Sequence, residues 1–286
     1  MKKYVAVIVI IVGLAIGVGF AGYPLISNYL MSLNLNSEVQ TYLNAAAKVE
    51  KEQRELETER AIEYNKSLLG NIKIGDPFGE EIKADDDYYD LLNLSGTSVM
   101  ACLEIPAIDI NYPVYHGTSD EVLGKGIGHM RGTSLPIGGE STHAVLTGHS
   151  GYSSAKLFTD LDQLTEGDLF YIHTLDQTLA YEVDQIKVVL PTDNSELKIE
   201  PKKDYVTLVT CTPYGVNSHR LLVRGTRVPI DEAKRQIQAK KRTESTFSEE
   251  YMSAILIGVS VMAGILIVYI IIRVVVKQVR KRKNHG

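Results

Sequence analysis

The chain has 286 residues, a formal net charge of −5, two cysteines and no tryptophan. That length holds one large domain or two small ones, and two cysteines exclude a disulfide scaffold. Eight of the 30 Lys and Arg lie in short terminal tails, leaving 22 against all 35 Asp and Glu elsewhere, a balance that disfavours nucleic acid as a partner.

Residues 4–22, YVAVIVIIVGLAIGVGFAG, carry no charge and follow Lys2 and Lys3. About 20 apolar residues cross a bilayer as a helix, so residues 1–24 read as a membrane anchor. A cleaved signal segment has the same lysine-then-apolar pattern, but this run is long for one and lacks a small-x-small cleavage site. Residues 25–70 are expected to be an extracytoplasmic helix, with its pattern clearest over 37–69. There Ser37 and Gln40 fit a capping box, and Val39, Leu43, Ala46, Val49, Leu56 and Ile62 form a thin apolar stripe. Gly70 suits the C-cap, and the helix reads as solvated, standing between membrane and domain.

Residues 71–98 are linker-like, with IGDPFGE and the acidic run Asp85, Asp86 and Asp87. From residue 99 the apolar period changes to two. Strands are predicted near 99–105, 108–115, 143–147, 168–173, 179–190, 205–211 and 221–228, with short helices at 119–125 and 153–161. Many short strands with few helices predict a mainly β domain over 99–230, a sandwich or a small barrel. Residues 231–252 are a juxtamembrane linker. Residues 254–272, AILIGVSVMAGILIVYIII, form a second uncharged run, and 253–286 ends in Arg273, Lys277, Arg280, Lys281, Arg282 and Lys283. Basic residues flanking spans stay cytoplasmic, so both termini are expected inside and the β domain outside.

Thiol chemistry needs a nucleophile, a proton carrier and a group that stabilises an oxyanion. Cys102 lies inside the apolar run VMACLEIPAI and reads as a packed core thiol, although a Cys102–Cys211 pair is open from sequence. Cys211 ends the apolar strand TLVTC before TPYGVNSH, a place where a thiol can be reached. Seven histidines compete for the proton-carrier role. His149 stands out because HAVLTGHSG places it at a strand mouth among small residues. Arg220 opens the strand RLLVRG; a guanidinium cannot act as a base, but it can hold charge beside a thiolate.

The segments THAVLTGHSG, VTLVTCTPYGVNSHRLLVRG, YPVYHGTSDEVLGKGIGHMRGTSLPIGG and LFTDLDQLTEGDLFYI closely resemble the sortases, and specifically the class C, pilus-assembling sortases of Gram-positive bacteria. The resemblance runs from about residue 85 to 228. It implies a closed eight-stranded sortase-type β-barrel with short helices. It also implies that Cys211 attacks the Thr–Gly carbonyl of an LPxTG-like sorting signal, that His149 moves the proton, and that Arg220 steadies the intermediate. The acceptor would be a lysine amine of a pilin subunit, the partners would be pilins and the bilayer, and no metal or organic cofactor is required. Asp76, Pro77 and Phe78 match the family's lid motif, in which Asp76 pairs with Arg220 and Phe78 covers Cys211. A housekeeping-type sortase attaching proteins to the cell wall and a hydrolytic cysteine protease are the alternatives. The protease would need an Asn or Asp to orient its histidine, and none is evident from the sequence.

Overall fold

Residues 2–69, 75–79, 87–94, 96–151, 155–231 and 233 of the computed structural model are described, with isolated positions 257, 258, 260, 261, 264, 269 and 273. The chain divides into two compact units, Met1–Ser27 with Ser245–Gly286, and Asn28–Glu244. The second unit carries the β domain.

Eight strands follow from the alternating segments: β1 (Val99–Ile105), β2 (Ile110–His116), β3 (Ile127–His129), β4 (Thr142–Thr147), β5 (Leu169–Thr174), β6 (Gln177–Val189), β7 (Asp204–Thr212) and β8 (His219–Val228). They close into a barrel in the order β1-β2-β3-β4-β7-β8-β6-β5. Closure pairs every strand on both sides and leaves no open edge. Two contacts are parallel, β2 with β3 and β4 with β7; the others are antiparallel.

The period of two sorts side chains into two layers. Ala144, Leu146, Val206, Leu208, Leu221 and Val223 join the main core with Phe170 and Tyr181, whose rings stack 5.5 Å apart. The intervening Val145, Val209 and Leu222 form a second cluster on the other face, with Met130 and Leu197. β7 is buried from Tyr205 to Cys211 because both of its faces are covered.

The helical region differs from expectation. Helix α1 runs unbroken through Lys2–Lys48, so Ser37 is interior and not a cap; the chain breaks instead at Val49–Glu50, and α2 follows over Lys51–Ser67. The stripe is solvated only in part, with Leu56 and Ile62 exposed. Val39, Tyr42 and Ala46 are buried against Val99, Cys102 and Tyr115 of the barrel. The Tyr42 hydroxyl donates to Met100 O at 2.8 Å and accepts from Leu175 N at 3.0 Å. Each large apolar side chain removed from water there contributes about 1.5–3 kcal/mol, which docks the helix on the domain. In α2, Asn65 bonds both backbone groups of Leu135, donating to O at 3.3 Å and accepting from N at 2.7 Å.

Two further short helices are α3 (Asp87–Asp90) and α4 (Asp120–Lys125), the latter capped by Ser119, whose hydroxyl accepts from Val122 N. The helix expected over 153–161 is absent from its described part, which holds turns and then a 3₁₀ turn at Leu161–Gln163. Among the described residues, no helix is long and apolar enough to cross a membrane. Most of 231–252 and 254–272, along with Gly70, Asp85 and Asp86, lies outside the described residues.

Candidate active site

Cys211 and Arg220 are direct partners across the antiparallel β7–β8 pair. Both side chains lie on the face that carries Val209 and Leu222, because residues two apart along a strand share a face. On the other side of β7, the parallel register with β4 ends at Thr147 opposite Val209, and Gly148 N donates to Val209 O at 3.1 Å. His149 follows at the end of this pairing, between Gly148 and Ser150, both of which bond β7 at or beside Cys211. The mouth is tied down by Thr210 Oγ1, which donates to Gly148 O at 2.7 Å, and by Ser150 Oγ, which donates to Cys211 O at 2.6 Å. Gly148 is required by space: a Cβ there would meet Ile127 Cδ1 at 2.7 Å and the Phe158 ring at 2.9 Å. The expected thiol, imidazole and guanidinium are thus brought together, each at a strand end on a rigid sheet.

Residues 75–79 cross this site. Arg220 Nε donates to Asp76 Oδ1 at 2.9 Å and Nη2 to Asp76 Oδ2 at 2.6 Å, a two-pronged pair. The Phe78 ring lies 5.5 Å from the His149 ring and 5.0 Å from the Arg220 guanidinium carbon, and packs on the cluster of Met130, Val145, Leu197, Val209 and Leu222. Pro77 between them is buried. Phe78 therefore lies over His149 and Arg220 and covers the apolar cluster beside the thiol.

The electrostatics describe a resting site. Burial pushes the Cys211 thiol up from its ordinary value; Arg220 opposes this and Asp76 adds to it. Burial pushes His149 down, against the pull of Asp120. Both shifts favour a neutral thiol and a neutral imidazole near pH 7. The hydrogen bonds to Asp76 raise Arg220 further, fixing its charge.

Two contributors leave no local signal in the sequence. Asp120, at the start of α4, supplies the carboxylate that acts on His149; it lies 29 positions upstream, and no local pattern links the two. His143, on β4, is fully buried; its Nδ1 lies 2.8 Å from Lys198 O and its Nε2 2.7 Å from Thr207 Oγ1. It thereby ties the β6–β7 connection, which carries Leu197, to the barrel. Arg220 also donates through Nη1 to Asn217 O and His219 O. Both cysteines are free, and Cys102 is sealed under Tyr42 and Tyr115, its thiol pushed up to about 12 by burial. Among the described residues, no group of three His, Cys, Asp or Glu side chains could hold a metal ion.

Comparison with known proteins agrees with this geometry. Residues 103–228 match the sortase domain family. The chain is 48% identical to the crystal structure of sortase C-1 from Actinomyces oris, covering 62% of this chain and 99% of that one with a TM-score of 0.59. It is 46% identical to sortase C-1 from Streptococcus pneumoniae, covering 68% and 98%, with a TM-score of 0.64. The chain belongs to the sortase family, and its structural neighbours are class C pilus sortases. It is also 30% identical over 129 residues to sortase D of Bacillus subtilis and 28% identical over 133 to sortase A of Bacillus anthracis. It spans 62% and 61% of the length of those two relatives.

Proposed function

We propose that the chain is a membrane-anchored cysteine transpeptidase that cuts an LPxTG-like sorting signal between Thr and Gly and joins the new acyl end to a lysine amine of a pilin subunit. The observation that carries this reading is the cross-strand pairing of Cys211 with Arg220 beside His149, in a chain whose solved neighbours include "Sortase C1 of GBS Pilus Island 1". With the lid away, His149 takes the Cys211 proton, the resulting thiolate attacks the threonine carbonyl, and Arg220 holds the oxyanion. His149 passes a proton to the departing glycine amine as the C–N bond breaks, leaving a thioester. A neutral lysine amine then attacks the thioester, His149 takes up its proton, and the thiolate leaves as the isopeptide bond forms. The reaction needs no cofactor.

In the closed arrangement Asp76 occupies the guanidinium that the intermediate requires, and Phe78 covers the apolar cluster beside the thiol. Moving residues 75–79 away releases Arg220 to face the thiolate and removes the carboxylate that opposes ionisation. Asp76, Pro77 and Phe78 therefore act as a lid that keeps the thiol neutral until a sorting signal takes its place. The apolar runs 4–22 and 254–272 hold the domain on the outer face of the cell membrane, with both termini cytoplasmic. Cleavage of a fluorescence-quenched LPxTG peptide by the full chain tests the reading: cleavage that disappears in Cys211→Ala supports it, and cleavage that survives that substitution contradicts it.

A further inference from the structure

One polar group on the floor of the site has no use in the closed state. Thr147 is fully buried, and among the described residues its Oγ1 has no hydrogen-bond partner. Other buried side-chain atoms in that condition lie on α1, α2 and β5, away from this face. Thr147 lies two residues beyond Val145 and opposite Val209, both in the apolar cluster against which Phe78 packs, so it shares their face. A buried hydroxyl without a partner destabilises a fold and is rarely kept without cause.

We propose that Thr147 is a specificity-determining residue whose hydroxyl bonds the side-chain hydroxyl of the threonine in the sorting signal; this rests on the transpeptidase reading above. Strand spacing and rise place the Thr147 Cα about 8 Å from that of Cys211, one pleat back along the neighbouring strand. The carbonyl of the acylated residue is fixed at Cys211 Sγ and Arg220. What reaches back one pleat is that residue's side chain, and a threonine carries a hydroxyl at that range. A site built to bond a hydroxyl rejects an isostere lacking it far more strongly than an apolar pocket can. The floor of the site would thus read threonine against valine at the residue whose carbonyl is attacked.

The test uses the full chain in an Asp76→Ala background, so that the site is open, and compares LPxTG and LPxVG peptides by kcat/KM. Thr147→Val is expected to lower kcat/KM for the threonine peptide tenfold or more, to leave the valine peptide unchanged, and to keep or raise the melting temperature. Thr147→Ser is expected to restore the preference for threonine. Equal loss on both peptides, or no loss on either, overturns the assignment. Absence of any Cys211 adduct from either peptide in the Asp76→Ala parent would instead overturn the transpeptidase reading on which it stands.

Discussion

Replacing Asp76 by alanine isolates the lid's hold on the site. The carboxylate accepts two charge-assisted hydrogen bonds from Arg220, at 2.9 and 2.6 Å. The Arg220 side chain is 10% exposed and that of Asp76 is 23% exposed, so solvent weakens the pair without dissolving it. Hydrogen bonds to charged groups contribute about 1.5–3 kcal/mol, which sets the same bias toward the closed lid. Removing them should raise the open population about 10- to 100-fold. The thiol should also ionise more readily, because the carboxylate that pushes it up is gone while the arginine that pulls it down is freed. The assay is the rate of Cys211 alkylation by iodoacetamide in the full chain, read by intact mass, with the sealed Cys102 as internal control. A pH profile should show its midpoint shifted downward in Asp76→Ala. An unchanged or slower rate, with both forms folded, would refute the argument that this pair gates the thiol.

Other expectations follow from the same contacts. Tyr42→Phe should destabilise the fold by about 1–3 kcal/mol in chemical unfolding, because Met100 O and Leu175 N both lose a buried partner; a change within error would mean α1 is not docked through that hydroxyl. Arg220→Lys should lower kcat/KM about a hundredfold while keeping the charge, since an ammonium cannot reproduce the fork that addresses an oxyanion; near-parental activity would show that charge alone suffices. His129 and His143 are buried and held down at about 4, against 6.5 in the unfolded chain. Their neutral forms contribute stability that is fully present above pH 6.5 and is lost as pH falls from there toward 4, about 1.4 kcal/mol per pH unit for each group. Melting temperatures should fall across that window, and a flat profile would contradict the burial of the two rings.

Much of the barrel was legible because period-two alternation is local: seven of the eight strands are expected close to where they lie. β3 was not, since three residues between a helix and a turn carry no alternation to read, and only pairing with β2 and β4 makes them a strand. Barrel closure is a long-range property, and the residue pattern alone left a sandwich equally open. The helix start failed for another reason. Ser37 and Gln40 match a capping box, but helix already precedes them, so there is no free N-terminus to cap. The stripe from Val39 to Ala46 was read as solvated because its charged flanks hide the buried Tyr42. At the site, Cys211, His149 and Arg220 were legible as strand-end residues. Asp120, which acts on His149, and His143, which ties the β6–β7 connection to the barrel, work across many positions and leave no mark at the sequence level. Thr147 lies within THAVLTGHSG but shows no role there, because a missing partner can be recognised only after folding.

The most direct test of the account is the fate of the acyl group on the Asp76→Ala full chain, followed by intact mass with an LPxTG peptide and a lysine amine present together. The account predicts a thioacyl adduct confined to Cys211 that is discharged onto the amine, giving a peptide–lysine isopeptide product. Discharge to the free acid with the amine left unused would contradict it and mark the site as hydrolytic.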